Sequence, residues 1–600
     1  MEKNIVKFTN QQKTAEVNSG TTIAEAARMA GLKLDLVCGG TGKCGKCAVV
    51  VITDSGQKKV LACQAKITES MEIILPDELI AAEIVILTGT DLEEVIKKPA
   101  VQKVFIPKRA VPEPECSGDW QRLTQYLGES APKEVELSLL RRLPSLMRNR
   151  KLTGITLVQS TEKLLSIEEE DTTDSLYGMA IDIGTTSVAG YLYDLNSGEK
   201  VAISSALNGQ VAEGADVMSR IMAASTQDGL ERLQQLIVNT INDVIENAAI
   251  KADIKSMDIY QLVLVGNTTM QHLFFALTPE YLGRSPFTAV NQGEITIKSS
   301  EAGININPEG LVTFLPLIGG FVGADTTGVV LATGMYQHDK YRLMIDIGTN
   351  GEIVLGNKDK MLACSTAAGP ALEGAGIGFG MRGTDGAIER VEINDAGVKL
   401  KVIGNTKVKG ICGSGLVDLA AELLRVNIID EKGKLLSAEE FLQFGSEALA
   451  SRLKEVDGKR VFVIASGQET DSGNDVYLSQ GDIRSLQLAK GAIFTGCMIL
   501  LEEYGIKGED LEEIMLAGAF GNYIDVKNAQ AIGLLPDFIG VPVRPVGNGA
   551  GGGAQLALLS EDIRKIARDM IGSIDHVELA THREFQDRFI MSLGFDITHN

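Results

Sequence analysis

Two segments of this chain repeat one layout, and the repeat constrains the fold more than any other feature. Residues 177–205, YGMAIDIGTTSVAGYLYDLNSGEKVAISS, and 341–366, YRLMIDIGTNGEIVLGNKDKMLACST, each read as apolar strand, Asp-Ile-Gly-Thr turn, strand, polar turn and strand. A second pair, IYQLVLVGNTTMQHLFF at 259–275 and LEEIMLAGAFGNYIDVK at 511–527, reads as buried strand, glycine turn and helix start. The helix expected before the first of these shows a 3.6-residue period in Leu230, Leu233, Ile237, Ile241 and Ile245. Two copies of one strand–turn–helix set predict two similar α/β lobes with a cleft between them, over residues 177–600.

With 600 residues the chain is long enough for several cores, so the duplicated region leaves room for others in front of it. Residues 1–88 read as short strands around one helix, a small α+β unit. Thr22 and Glu25 form a T-x-x-E capping box at the start of that helix. Residues 89–108 read as a linker, and 109–176 as a small middle domain of two or three helices and a strand. Its acidic end, IEEEDTTD, reads as a solvated hinge. The net charge of −22 repels phosphate backbones and anionic lipid, which argues against nucleic-acid and membrane partners. The N-terminal MEKNIVKFTNQQKT lacks the basic-then-apolar pattern of a signal peptide, and no long uncharged apolar run follows, so a cytoplasmic protein is expected.

The cysteines are unevenly spread. Cys38, Cys44, Cys47 and Cys63 stand as C-x5-C-x2-C-x15-C, while Cys116, Cys364, Cys412 and Cys497 lack ligand spacing and read as ordinary thiols. Four thiolates suit either zinc or an iron–sulfur cluster. Zinc sites prefer two separated C-x2-C knuckles, and only one such pair is present. The wide loop with Gly39, Gly40, Gly42 and Gly45 instead suits a [2Fe–2S] cluster, whose sulfides need backbone N–H donors close by. In this stretch, VCGGTGKCGKC and the later VLACQ, the sequence resembles β-grasp ferredoxins of the adrenodoxin-like branch. The short last gap then predicts a plain hairpin before Cys63.

The doubled turn points to phosphate. Gly184 and Gly348 free backbone N–H groups, Thr185, Thr186, Thr349 and Asn350 add polar side chains, and Asp182 and Asp346 are placed to orient Mg2+ or its water. Gly518, Ala519 and Gly521 offer a surface on which an adenosine can lie, and GNGAGGGAQLAL at 547–558 is a further glycine loop opening a helix. Together these motifs resemble the actin, sugar-kinase and heat-shock-chaperone ATPases. In the sugar kinases an acidic residue that activates the hydroxyl lies shortly before the second phosphate turn. Asp325 in GGFVGADTTG, 21 residues before Asp346, takes that place as base or water-positioning group, or alternatively as a helix cap; Glu373 is a second acidic candidate.

A ferredoxin in front of an ATPase is informative because neither explains the other. Each ~59 mV uphill costs a one-electron transfer tenfold in equilibrium, so a cluster near ~−400 mV needs help to fill a lower acceptor. Over its whole length, in VCGGTGKCGKC, AIDIGTTSVAGYL, GGFVGADTTG and MIDIGTNGEI, the chain resembles the ATP-dependent reductive activators of corrinoid proteins. That resemblance implies one-electron reduction of Co(II) to methyl-accepting Co(I) on the corrinoid protein of a methyltransferase system, an external low-potential electron donor, and a homodimer. An activator of another low-potential metalloenzyme, or a redox-sensing ATPase or chaperone, is the alternative.

Overall fold

The computed structural model describes residues 3–11, 13–30, 32, 34, 47–53, 56–76, 97–111, 117–348, 350–518, 521 and 523–595. Cys38, Cys44, Cys116, Thr349, Ala519 and residues 77–96, which include 89–96 of the expected linker, lie outside the described residues.

The first unit is a mixed sheet of β1 (Lys3–Phe8), β2 (Lys13–Asn18), β3 (Ala48–Thr53), β4 (Gly56–Leu61) and β5 (Met71–Ile74), in the order β2-β1-β5-β3-β4. Strand β1 runs parallel to β5 and antiparallel to β2. The helix Ile23–Met29 buries Ile23, Ala26 and Ala27 against Val6, Phe8, Val49 and Ile73 of the sheet, the β-grasp arrangement. Its start is capped as expected, the Thr22 hydroxyl accepting from the Glu25 N–H at 3.2 Å.

The next unit contains more strand than its sequence suggested. β6 (Gln102–Pro107), β7 (Glu134–Val135), β8 (Gly154–Gln159) and β9 (Lys163–Glu169) form a sheet in the order β6-β8-β9-β7, covered by the helices Asp119–Leu127 and Leu137–Arg148. β6 falls inside the stretch expected to be linker. Its sequence, QKVFIP, does not alternate, and what makes it a strand is pairing with β8, a long-range contact invisible in local pattern. The acidic run is also not a solvated hinge at its start. Glu168 is the penultimate residue of β9 and receives Lys103 Nζ at 2.7 Å, with the lysine side chain 1 % exposed, and it accepts from the hydroxyls of Thr172 and Tyr260. Burial alone would raise the Glu168 carboxyl; the bonds from Lys103, Thr172 and Tyr260 outweigh it and hold the group below its usual value. Because Tyr260 belongs to the first lobe, this cluster ties the two units together.

The first lobe holds β10 (Tyr177–Ile183), β11 (Ser187–Asp194), β12 (Lys200–Leu207), β13 (Ile259–Gly266), β14 (Ile295–Lys298) and β15 (Leu311–Phe314), ordered β12-β11-β10-β13-β15-β14. In the second lobe, β16 (Tyr341–Ile347), β17 (Gly351–Gly356) and β18 (Met361–Thr366) start the sheet. Two three-stranded sheets then intervene, β19 (Ala387–Asn394) with β20 (Gly397–Val402) and β21 (Gly410–Ile411), and β22 (Leu453–Val456) with β23 (Lys459–Ala465) and β24 (Val476–Ser479). β25 (Leu511–Ala517), β26 (Val543–Gly547) and β27 (Ile574–His576) complete the second-lobe sheet as β27-β18-β17-β16-β25-β26. The duplication read from sequence is therefore a duplication of topology. β10 and β16 each pair antiparallel with the strand that follows and parallel with the glycine-ended strand, β13 or β25.

Among the described residues one helix, Gln480–Tyr504, is long and apolar enough to cross a membrane by length and composition, and 78% of that apolar window is buried inside the protein. It lies against β17 and β18 as core of the second lobe.

The lobes do not follow the chain strictly. The helix Gly549–Leu559, after the last long strand of the second lobe, packs into the core of the first, beside the helix Ala324–Thr333. Glycines let the two backbones meet: a Cβ at Gly553 would stand 2.0 Å from the Gly328 carbonyl oxygen, and one at Gly328 would stand 2.7 Å from that of Ala550. Gly553→Ala gains about 1 kcal/mol of helix propensity but forces backbone apart at a cost of about 1–3 kcal/mol. The overpacking term wins, so denaturant unfolding should show the variant less stable than wild type.

Candidate functional site

The β3–β4 hairpin brings two of the four spaced cysteines together. Ala48 pairs with Leu61 in the ladder, the Ala62 N–H donates to the Cys47 carbonyl at 2.8 Å, and the sulfur atoms of Cys47 and Cys63, which form no disulfide, stand 3.2 Å apart. The hairpin expected before Cys63 is thus present, and it explains the fifteen-residue gap. Two converging sulfur donors, one buried and one half-buried at the edge of a sheet, fit the ligand chemistry of an iron–sulfur cluster. Cys38 and Cys44, the other half of the set, lie outside the described residues. Cys364, Cys412 and Cys497 are buried in the second lobe, away from this hairpin, in keeping with ordinary core thiols.

The phosphate turns close the central strands of the two lobes. In the first, the Gly184 N–H donates to the Ser187 carbonyl at 2.9 Å; in the second, the Gly348 N–H donates to that of Asn350 at 2.9 Å. All three carbonyls of the first turn are held from one side. Asn208 Nδ2 donates to Gly184 O at 2.9 Å, the Asn208 N–H to Thr186 O at 2.9 Å, and Arg220 Nη2 to Thr185 O. Among the described residues the N–H groups of Thr185 and Thr186 have no acceptor. A turn with its carbonyls tied back and its amides free is a concave anion site. Asn350 of the second turn lines one pocket with Asn267, Thr268 and Thr269 of the first lobe, which brings the second turn against the first lobe. Thr185 Oγ1 accepts from Asn267 Nδ2 at 3.0 Å, and Thr186 Oγ1 stands 3.5 Å from the carboxylate of Glu373, the second acidic candidate, across from the first lobe.

Asp182 and Asp346 are the penultimate residues of β10 and β16, and Asp325 lies in the first turn of the helix Ala324–Thr333. Gly323, not Asp325, is that helix's N-cap, so the capping alternative for Asp325 does not describe it. Its carboxylate accepts from the Thr326 N–H at 2.8 Å. Burial pushes all three carboxyls up. Asp182 rises to about 7, eased by Asn548 and raised further by the Asp325 charge. Asp346 rises to about 7, with the charges of Asp325 and Asp182 adding to burial. Asp325 rises to about 6, its bonds from Thr326 opposing burial. Among the described residues no lysine or arginine pairs with any of them. An all-oxygen carboxylate set in a cation-free cleft is the donor chemistry of Mg2+.

Two further residues were not singled out in the sequence. Glu352 sits directly opposite Asp346 in the β16–β17 ladder, whereas Asp182 faces Ala189 in the first lobe. Burial and the charges of Asp325 and Asp346 push its carboxyl well above the usual range. Two-residue alternation from Asp346 across the turn was the signal available, and the turns differ in length by one residue, which hid it. Asn548 caps the helix Gly549–Leu559 and donates from Nδ2 to Asp182 Oδ2 at 3.0 Å and to the Tyr191 hydroxyl at 3.2 Å. It lies in the glycine loop at 547–558, placing that loop on the first-lobe aspartate.

Of the expected adenosine-side residues, Gly518 reaches the cluster and Gly521 does not. Gly518 has φ +90°, and a Cβ there would stand 2.6 Å from Asp346 Oδ1, so the residue lets two strand ends meet. Gly521 turns back on its own strand, where a Cβ would stand 2.9 Å from the Leu516 carbonyl oxygen.

The raised carboxyls give a signed expectation. For Asp346 the folded value near 7 exceeds the ordinary 3.8, so the proton favours the folded state. That contribution is full below about pH 4 and is lost as pH rises through 7. In metal- and nucleotide-free protein, Asp346→Asn should therefore raise Tm over wild type more at pH 8 than at pH 5; equal differences would remove Asp346 from the ionising cluster.

Comparison with known proteins divides the chain into four matches. Residues 6–68 match a 2Fe-2S iron-sulfur cluster binding domain, 90–174 a RACo linker region, 177–338 a RACo middle region, and 340–600 the C-terminal domain of RACo, the ASKHA domain. The chain is 41% identical over 593 residues to the corrinoid activation enzyme RamQ of Eubacterium limosum, covering 98% of this chain and 99% of that protein. It is 26% identical over 456 residues to the [Co(II) methylated amine-specific corrinoid protein] reductase of Methanosarcina barkeri, covering 70% of this chain and 77% of that one. The solved structure of a reductive activator for corrinoid, iron-sulfur protein superposes with a TM-score of 0.74 at 34% identity, covering 98% of each chain.

Proposed function

This chain belongs to the RACo family of reductive activators of corrinoid proteins, and we propose from that premise that it uses ATP to return a corrinoid protein of a methyltransferase system from Co(II) to Co(I). The observation that carries the reading is the presence, on one chain, of a convergent thiol pair on a β-grasp sheet and two Asp-Ile-Gly-Thr turns at matching strand ends of a duplicated fold.

Within this reading, residues 1–88 carry the electron, the unit built on β6 to β9 joins the parts, and 177–600 hydrolyse ATP. Cys38, Cys44, Cys47 and Cys63 hold the [2Fe–2S] cluster, which supplies a one-electron couple when bound. The amides of Thr185 and Thr186 and the second turn, with Gly348, Thr349 and Asn350, grip the phosphates from the two lobes. Gly518 and Ala519 leave room for the nucleoside, with Gly521 shaping the turn that carries them. Asp182 and Asp346 hold Mg2+, and holding it relieves the repulsion among the buried carboxylates. Asp325, with its carboxyl raised toward neutrality, is the group that positions the attacking water and takes its proton. ATP binding and partner docking then favour closure of the lobes, and hydrolysis resets them. An external low-potential donor, docking through basic patches that suit the acidic surface, a homodimer and a cytoplasmic setting complete the proposal.

The coupling is testable directly. Pre-reduced protein mixed anaerobically with Mg-ATP and a Co(II) corrinoid protein should produce the Co(I) absorption band, and an equal yield without ATP would remove ATP from the reaction. Cys63→Ala should lose the paramagnetic signal of the reduced cluster and the Co(I) band together while retaining ATP hydrolysis. Asp182→Ala and Asp346→Ala should do the reverse, losing at least tenfold in ATPase rate with the cluster signal intact.

A further inference from the structure

Arg220 is fully buried, and its guanidinium has only neutral partners. Nε donates to Gly214 O at 2.9 Å, Nη1 to Gln210 Oε1 at 3.1 Å with Met270 Sδ at 3.4 Å, and Nη2 to Thr185 O. Gln210 is itself fixed, its Nε2 donating to Leu233 O at 2.9 Å. Among the described residues no carboxylate forms an ion pair with Arg220. Asp216, at the N-cap of the short helix Val217–Ala223 that carries Arg220, acts on it only through space, because its carboxylate is engaged by the Ser219 N–H at 2.8 Å. Burial accordingly lowers the Arg220 pKa to about 9, which leaves it charged at neutral pH.

A buried cation without a counter-ion is costly, and truncating either side of a neutral network would be cheaper than keeping the charge. What stands on the far side of its Thr185 contact is the pair of free amides described above. The peptide between them is polarised by the guanidinium: a charge donating to a carbonyl makes the N–H groups of the same turn better donors to an anion. We propose that Arg220 is a positioning residue for the nucleotide, a charge placed behind the first phosphate turn whose counter-ion is the phosphate chain that settles on the front. It touches no substrate atom. It holds the turn's amides forward and adds an attraction that scales with the negative charge delivered to the turn.

This rests on the ATPase reading, and the experiment separates the two. Binding of ATP, ADP and adenosine is measured by calorimetry on the full-length wild type, Arg220→Lys and Arg220→Gln, together with the Tm shift each ligand causes. Both replacements retain a donor for the Thr185 carbonyl, and only lysine retains the charge. In Arg220→Gln, ATP affinity should fall at least tenfold, ADP by less, and adenosine by less than twofold, while the nucleotide-free Tm stays level or rises because an uncompensated charge has left the interior. Arg220→Lys should keep the ATP-to-adenosine ratio within about threefold of wild type. Equal weakening of all three ligands in Arg220→Gln, or an unchanged ATP affinity, overturns the proposal. If the glutamine variant does not fold, a collapsed ATP-to-adenosine ratio in Arg220→Lys overturns it and a preserved ratio upholds it. Failure of wild type to bind ATP at all would instead defeat the ATPase reading.

Discussion

Like charges confined in a dry cleft govern the arrangement of this molecule. Asp182 and Asp346 stand next to the ends of β10 and β16, Asp325 joins from a helix, Glu352 stands opposite Asp346, and among the described residues no basic side chain pairs with them. Charges this close cannot all ionise unless a cation or a proton enters. Everything around them serves to hold the ends in that position: the duplicated sheets, the glycine at φ +90° beside Asp346, and the cap of one helix turned onto Asp182. The site resists its own empty state, which makes occupancy a source of work.

The two functional regions differ in how their parts are supplied. The thiol pair is a local product, two residues that a hairpin sets opposite each other. The proposed phosphate site is assembled from distant stretches: Asp182, Asn267, Asp325, Asp346 and Asn548 come from five separate segments of the chain. A defect in one hairpin therefore affects the electron-carrying region alone, whereas the nucleotide region depends on the registration of both lobes.

Much of this was legible in the amino-acid order because the chain repeats itself. Two Asp-Ile-Gly-Thr turns at strand ends, and two glycine-ended strands, specified matching sheets before any contact was known, and the topology carries both pairs in the same places. Glu352 and Arg220 were not legible, for different reasons. Glu352 was displaced from its expected phase by the one-residue difference between turns, and Arg220 lies on a seven-residue helix and meets the turn at Thr185, 35 residues away in sequence, only through the fold. β6 was missed because an edge strand depends on its partner rather than on its own pattern. Glu168 was misread for a related reason: a run of acids looks solvated until a buried lysine from another segment meets it.

The helix Gly549–Leu559 has a bearing on how the molecule is made. Its Ala550, Ala554, Ala557 and Leu558 belong to the core of the first lobe, and residue 98 clips its end, the Lys98 N–H donating to Leu559 O at 2.9 Å and the Glu561 N–H to Lys98 O at 2.8 Å. During synthesis the first lobe emerges early yet lacks part of its interior until residues 549–559 have followed the whole second-lobe sheet out to β26. Its apolar face must wait, shielded by chaperones or by a provisional collapse, while the second lobe is translated. Neither lobe is then a finished intermediate, and the chain gains its nucleotide cleft and its completed core in the same late event.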